Sequence, residues 1–354
     1  MNETNTTGMM VLIATLCCLL LAQGIHAQDK GADIVMQWLQ HALPEAGHAA
    51  VHPGKGHCVE PPTTAPDLKA ADAWIQWGGD RSNLRSRTME QTHLTAAKLP
   101  DLALQWAYAI PDVQLMRSHP AVAGDWLYLA GFDGSIRALD ARTGCLIWQT
   151  DLEQPLFSGI TLGQTADGDS LLLVGDITAQ VHALDPLTGT PVWQRRVATH
   201  QHARISGTPA IHEDRVYVPV SSGEWAVVDP DYACCTFRGK VVALDLANGK
   251  RRWEYFTIDE PPRAQGEDKA GATIYAPSGA AVWSAVTVDA SRNRLYVGAG
   301  NNYSQPATDT SSAIHAIDLV SGKRAWVFQG TPDDAWTVSC VPGWREALVG
   351  HAVS

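Results

Sequence analysis

The sequence is short of positive charge. Its 354 residues include 26 Lys and Arg against 37 Asp and Glu, a formal net charge of −11, and no segment forms a basic stripe. That balance repels a phosphate backbone and argues against nucleic acid as a partner. Long apolar runs are also missing. The single candidate, residues 9–22, falls short of a bilayer span, so no integral membrane segment is expected once it is removed. Followed by Ile25-His26-Ala27, it reads as a signal peptide cleaved near Ala27, giving a leader over 1–27. The usual basic n-region is absent and Glu3 stands there instead, so Met9 or Met10 is an alternative start. Neither Cys17 nor Cys18 follows a small-residue pair, so a lipobox is not evident. Cysteine is sparse. Seven are present, and loss of Cys17 and Cys18 with the leader leaves five: Cys58, Cys145, Cys234, Cys235 and Cys340. Five is odd, so one has no partner even in an exporting, disulfide-permissive setting. No Cys-x-x-Cys-His occurs, so covalent c-type haem is not encoded in these residues.

What the sequence does have is a repeat. Ala138-Leu139-Asp140-Ala141-Arg142-Thr143-Gly144 leads to Trp148, and Ala183-Leu184-Asp185-Pro186-Leu187-Thr188-Gly189 leads to Trp193. Ala243-Leu244-Asp245-Leu246-Ala247-Asn248-Gly249 leads to Trp253, and Ala316-Ile317-Asp318-Leu319-Val320-Ser321-Gly322 leads to Trp326. The offset from Asp to Trp is eight in all four copies. Each copy is a unit that cannot bury its apolar face alone. Upstream runs such as Leu171-Leu172-Leu173-Val174 and Arg215-Val216-Tyr217-Val218 read as strands. The Asp then bonds turn amides while the Gly takes positive φ. Strand–turn–strand units with a recurring Trp predict the blades of an all-β propeller, centred near 122–150, 169–197, 211–256 and 286–329. Each Trp is expected to dock between neighbouring blades. The four Trp residues are 45, 60 and 73 residues apart, so the added length lies in the later copies. Segments 221–238 and 299–312 read as loops, where function concentrates.

The organisation expected is a leader over 1–27, a linker or short helical preface over 28–73, a partial propeller over 74–340 and an atypical tail over 341–354. The repeat pattern stops after Trp336. Four clear blades and a partial one near Trp77 to Trp106 predict an open arc with an exposed apolar end, from a chain truncated or frame-shifted near its end.

Three stretches exceed what blades require. They are Ser206-Gly207-Thr208-Pro209 with Ser221-Ser222-Gly223-Glu224, then Tyr232-Ala233-Cys234-Cys235-Thr236-Phe237-Arg238-Gly239, then Trp283 with Gly298-Ala299-Gly300-Asn301. Through them the chain resembles the pyrroloquinoline quinone (PQQ) dependent alcohol dehydrogenases, which are eight-bladed quinoprotein propellers. Cys-Cys-x-Phe-Arg-Gly, together with Trp77-Gly78-Gly79-Asp80-x-x-Asn83-x-Arg85, is most similar to the polyvinyl-alcohol dehydrogenase branch. The resemblance implies a truncated propeller of about four or five blades, PQQ and calcium as cofactors, and periplasmic or secreted location. It implies an alcohol substrate, secondary or polymeric, and electron transfer to a separate cytochrome c.

The same resemblance assigns residues. Glu224 and Asn301 match its calcium ligands, both oxygen donors as a hard cation requires. Trp283, eighteen residues before Asn301, matches the floor under the quinone. Ser206, eighteen before Glu224, and Ser221, three before it, match groups that bind the cofactor's carboxylates. Taken singly, Glu224 reads as a solvated loop acid, Asn301 as a turn residue and both serines as loop residues. Cys234 and Cys235 would form a vicinal disulfide covering the quinone, or each would pair elsewhere. A Cys58–Cys145 bridge would leave Cys340 unpaired. Arg238 reads either as structural or as facing a cofactor carboxylate. The family's catalytic base should follow the Trp of Thr331-Pro332-Asp333-Asp334-Ala335-Trp336, yet Thr337 stands there. A threonine has no basic group for that step, so Asp333 or Asp334 substitutes, another carboxylate serves, or the chain is impaired. The isolated chain is accordingly expected to show little dye-linked alcohol oxidation. The alternative is a non-catalytic PQQ-like-repeat propeller acting as a binding or outer-membrane assembly scaffold, and a third is a nonfunctional fragment.

Overall fold

The computed structural model describes residues 50–52, 56–79, 83–110, 113, 115–229, 231–268 and 271–338. The leader expected over 1–27, Cys340 and the tail over 341–354 lie outside the described residues. Among the described residues the main sheets are four antiparallel blades, besides a two-stranded pair at the start and a hairpin of Arg263–Glu267 with Thr273–Ala276. The first comprises Ala121–Ala123, Trp126–Ala130, Ser135–Asp140 and Leu146–Asp151. The second comprises Thr161–Gln164, Ser170–Gly175, Gln180–Leu184 and Pro191–Arg196. The third comprises Ala210–His212, Arg215–Ser222, Lys240–Asp245 and Arg251–Phe256, with Ala203–Arg204 added against Ser221 and Ser222. The fourth comprises Thr287–Asp289, Arg294–Ala299, Ala313–Asp318 and Arg324–Gln329. All four lie where the repeat put them. Among the described residues the helix Met89–Thr92 is a single turn, and no helix is long and apolar enough to cross a membrane.

The repeated residues explain how blades join. Asp140 Oδ1 accepts from the amides of Arg142 at 2.8 Å and Thr143 at 3.1 Å, and Gly144 turns the chain at φ 74°. The Trp of the preceding unit lies flat on that Gly. Trp148 Nε1 donates to the Pro186 carbonyl at 3.0 Å, Trp193 to Leu246 at 3.0 Å and Trp253 to Leu319 at 3.1 Å. A Cβ added to Gly189, Gly249 or Gly322 would come within 2.6 Å of those rings, so only glycine admits the stack. Trp106 makes the same bond to Ala141 at 3.0 Å and covers Gly144, a fifth member of the series that lacks the Asp lead. Among the described residues no such turn covers Trp326, which is 46% exposed beside exposed Ile314, Val320 and Phe328.

The preface differs from a free linker. Ala50–His52 pairs in parallel with Trp106–Tyr108. The Cys58 amide donates to the Leu146 carbonyl, and Cys58 is bonded to Cys145. Beyond it, Trp74, Ile75, Gln76 and Asn83 touch the first strand of each blade in turn. Trp74 pairs with Val122, and the Leu162 amide donates to the Ile75 carbonyl at 2.8 Å. The Gln76 amide group bonds the Ile211 backbone in both directions, and Asn83 Nδ2 donates to Thr287 Oγ1 at 3.1 Å. This spoke carries Trp77 to the functional site.

The fourth blade holds a buried histidine that titrates with folding. His315 Nε2 donates to the Thr310 carbonyl at 2.8 Å, so its Nδ1 accepts from the Tyr255 hydroxyl at 2.7 Å. The Tyr255 oxygen in turn accepts from Arg324 Nε at 3.0 Å. Burial pushes the imidazole pKa down from 6.5 to about 4. The folded state therefore resists protonation. Its advantage is complete above pH 6.5 and is lost as pH falls toward the folded value, up to about 3 kcal/mol. Unfolding free energy measured from pH 7 to 4 should decline accordingly, and His315→Gln should flatten that slope. An unchanged slope in the variant would refute the assignment.

Candidate functional site

A cavity of about 690 Å³ gathers residues that are far apart in sequence. Trp77 comes from the spoke, and Arg117 and Phe157 precede the inner strands of the first two blades. Arg204, Ser206, Ser221 and Ser222 come from the third blade, and Ala281, Trp283, Gly300, Asn301 and Tyr303 from around the fourth. Trp225 and Trp336 complete the walls. Strand pairing sets the third-blade group, with Arg204 opposite Ser221 and Ala203 opposite Ser222. Ser206 and Ser221 hydroxyls lie 2.7 Å apart, and Ser221 donates to the Arg204 carbonyl at 3.2 Å. Trp283 is 65% exposed, an open platform rather than a blade-docking ring. The Trp225 and Trp336 rings stack with centroids 6.0 Å apart. Thus Ser206, Ser221, Trp283 and Asn301 converge, although they span nearly a hundred residues.

Two arginines make the cavity cationic. Arg117 lies over Phe157, 5.1 Å from the ring centroid. Arg204 is half-buried, and its guanidinium lies against Gly223, where a Cβ would have to push it aside. Burial, then the nearby Arg117, lowers the Arg204 pKa, but a guanidinium stays charged at neutral pH. Among the described residues neither arginine has a carboxylate partner within salt-bridge distance. Burial, then the charge of Glu224, raises the Tyr303 pKa, so its hydroxyl stays protonated. None of the described residues lining this cavity carries a carboxylate.

Glu224 lies behind the wall. It is fully buried and does not line the cavity. Oε1 accepts from the Thr236 amide and the Tyr232 hydroxyl, each at 2.8 Å, and Oε2 from the Phe237 amide at 2.9 Å. His200 Nε2 is 3.4 Å from Oε1. Burial by itself would raise the carboxyl pKa. The bonds from His200, the two amides and Tyr232 outweigh burial and hold it below the ordinary value. This carboxylate therefore clamps the loop that carries Cys234 and Cys235. The two cysteines are bonded to each other and border a separate cavity of about 320 Å³, which Tyr303 also lines.

The other expected residues fall elsewhere. Arg238 Nη1 donates to the carbonyls of Ile258 at 3.1 Å and Asp259 at 2.9 Å, and its guanidinium covers Phe256, the structural alternative. Asp334 accepts from Ser312 Oγ at 2.7 Å, and the Asp333 carbonyl accepts from Gln305. Neither aspartate borders either cavity, whereas Trp336 lines the larger and Thr337 the smaller. Sequence reasoning missed Arg117, Arg204, Trp225, Tyr303 and Trp336. The two tryptophans carried a signal, since neither follows the Asp-x-x-x-Gly pattern of a blade Trp.

Comparisons with known proteins agree with this architecture. A family model described as outer membrane protein assembly factor BamB matches residues 85–274. Polyvinylalcohol dehydrogenase of a Pseudomonas species is 33% identical over 278 residues, 77% of this chain and 43% of the relative. The Sphingopyxis (strain 113P3) enzyme of the same name is 34% identical over 289 residues, 80% of this chain and 43% of the relative. The crystal structure of quinohemoprotein alcohol dehydrogenase from Comamonas testosteroni superposes with a TM-score of 0.61 at 25% identity, covering 77% of this chain and 43% of that one. The chain belongs to the quinoprotein alcohol dehydrogenase family. It spans less than half the length of the curated relatives it matches. Members of this quinoprotein family use PQQ, a flat tricyclic polycarboxylate. Aromatic walls and acid-free arginines fit such a molecule. The Glu224 carboxylate, buried outside the cavity lining and held by N–H and O–H donors, is not among the groups that would meet a cation in this cavity as placed.

Proposed function

We propose that the chain is the PQQ-holding part of an alcohol dehydrogenase that acts on a secondary or polymeric alcohol of the polyvinyl-alcohol kind. The observation that carries this reading is the convergence of Trp283, Ser206, Ser221 and Asn301 with Arg117 and Arg204 around one cavity. Bound PQQ supplies the two-electron oxidising chemistry. The protein's part is to seat it. Trp283 offers a stacking face, the arginines meet carboxylates with charge-assisted bonds, and the Ser206–Ser221 hydroxyl pair completes that polar side. Export to the periplasm suits two disulfides, and a separate cytochrome c is the proposed electron acceptor.

A second reading has a specific observation in its favour. The described lining of the cavity holds no carboxylate to remove the alcohol's proton, as a binding propeller would also show. Titration of the full chain with PQQ, followed by tryptophan fluorescence, tests the common ground. Saturable quenching is expected, and Trp283→Ala should weaken affinity by about tenfold. Absence of saturable quenching would overturn the cofactor assignment. Phenazine-linked oxidation of secondary alcohols and polyvinyl alcohol then separates a dehydrogenase from a binding propeller.

A further inference from the structure

Resting on the PQQ reading, we propose that this cavity takes the planar polycarboxylate through Arg117, Arg204 and its aromatic walls, with no divalent cation held by Glu224. Glu224 is instead a positioning residue for the Cys234–Cys235 loop.

Three observations carry this. The Glu224 carboxylate is fully buried, outside the cavity, and accepts from Thr236, Phe237 and Tyr232. These donors hold the carboxylate in place behind the cavity wall, where it is not among the groups that line the cavity. Second, the oxygen side chains that line the cavity are neutral: three serines, Tyr303 and Asn301. Asn301 already donates to the Trp336 carbonyl at 2.8 Å, which fixes its amide and leaves one neutral acceptor. A hard divalent cation collects six to eight oxygens and draws much of its affinity from carboxylates. Third, Arg117 and Arg204 place two positive charges on the same walls, with no carboxylate within salt-bridge distance of either among the described residues. They repel a further cation and attract an anion. The same field that disfavours calcium favours a polycarboxylate with an aromatic body, because Trp283, Trp225 and Trp336 supply apolar faces beside the charges.

The test is PQQ binding to the full chain, read by tryptophan fluorescence and by calorimetry, once in excess chelator and once in millimolar calcium. Affinities within about twofold are expected, with Arg204→Gln and Arg117→Gln each weakening binding by about tenfold or more in both buffers. Two variants on different segments guard against one that fails to fold, which circular dichroism would reveal. Affinity that falls about tenfold in chelator and recovers with calcium would overturn the cation-free site while leaving the PQQ reading intact. Arginine variants that bind as tightly as the parent would also overturn it. No binding in either buffer would overturn both.

Discussion

Trp148→Ala should destabilise the protein by about 3–5 kcal/mol, as removal of a large buried aromatic does. Trp148 is 9% exposed, its ring covers Gly189 of the next blade, and its Nε1 donates to the Pro186 carbonyl. The Tyr128 ring, 6.0 Å away, donates its hydroxyl to the same carbonyl at 3.1 Å. Alanine would open a void between two blades and leave the Gly189 turn bare. The matching substitution at Trp326 provides the contrast. That ring occupies the same position in its repeat but is 46% exposed, with no turn over it among the described residues, so its loss should cost under about 1 kcal/mol. Urea midpoints of the two variants decide the point. Equal losses would mean that the repeat Trp stabilises its own blade and not the junction.

That contrast also marks what a sequence reader can and cannot extract. Asp140, Gly144 and Trp148 announce a blade because turn chemistry and stacking act over a few residues at fixed spacing. Four such copies fix four sheets. Ser206, Ser221, Trp283 and Asn301, singled out through resemblance to a family with those intervals, line one cavity. Other features depend on contacts between segments with no shared grammar. Gln76 meets Ile211 and Asn83 meets Thr287 only because the spoke crosses the blades. Arg204 reaches the cavity because Gly223, on the neighbouring strand end, yields space to its guanidinium. An arginine in sequence carries no record of such a neighbour. Glu224 is the sharpest case. Its spacing from Ser206 and Ser221 is compatible with a carboxylate facing either way. Two amides at Thr236 and Phe237, a dozen residues on, turn it away from the cavity.

Glu224→Ala therefore has a large expected effect, and on the loop before the chemistry. It would take their carboxylate acceptor from the buried Phe237 amide and from the partly buried Thr236 amide and Tyr232 hydroxyl. Each unsatisfied donor costs about 1–3 kcal/mol, so about 3–5 kcal/mol of local stability should disappear. Hydrogen exchange at the Thr236 and Phe237 amides should speed up by about a hundredfold or more. After brief treatment with a dithiol, Cys234 and Cys235 should alkylate faster than in the parent, while Cys58 and Cys145 serve as the internal control. Acid should mimic the substitution. Because its bonding partners hold the folded carboxyl below its ordinary 4.5, Glu224 contributes in full above that pH. The contribution fades as pH falls through the lower folded value, and in Glu224→Ala this acid-dependent loss should be missing. Parent-like exchange at both amides in the variant would show that the carboxylate does not hold the loop. Arg117 and Arg204, without a salt-bridge partner among the described residues, would then stand as an anion site with no account of why Glu224 does not line the cavity.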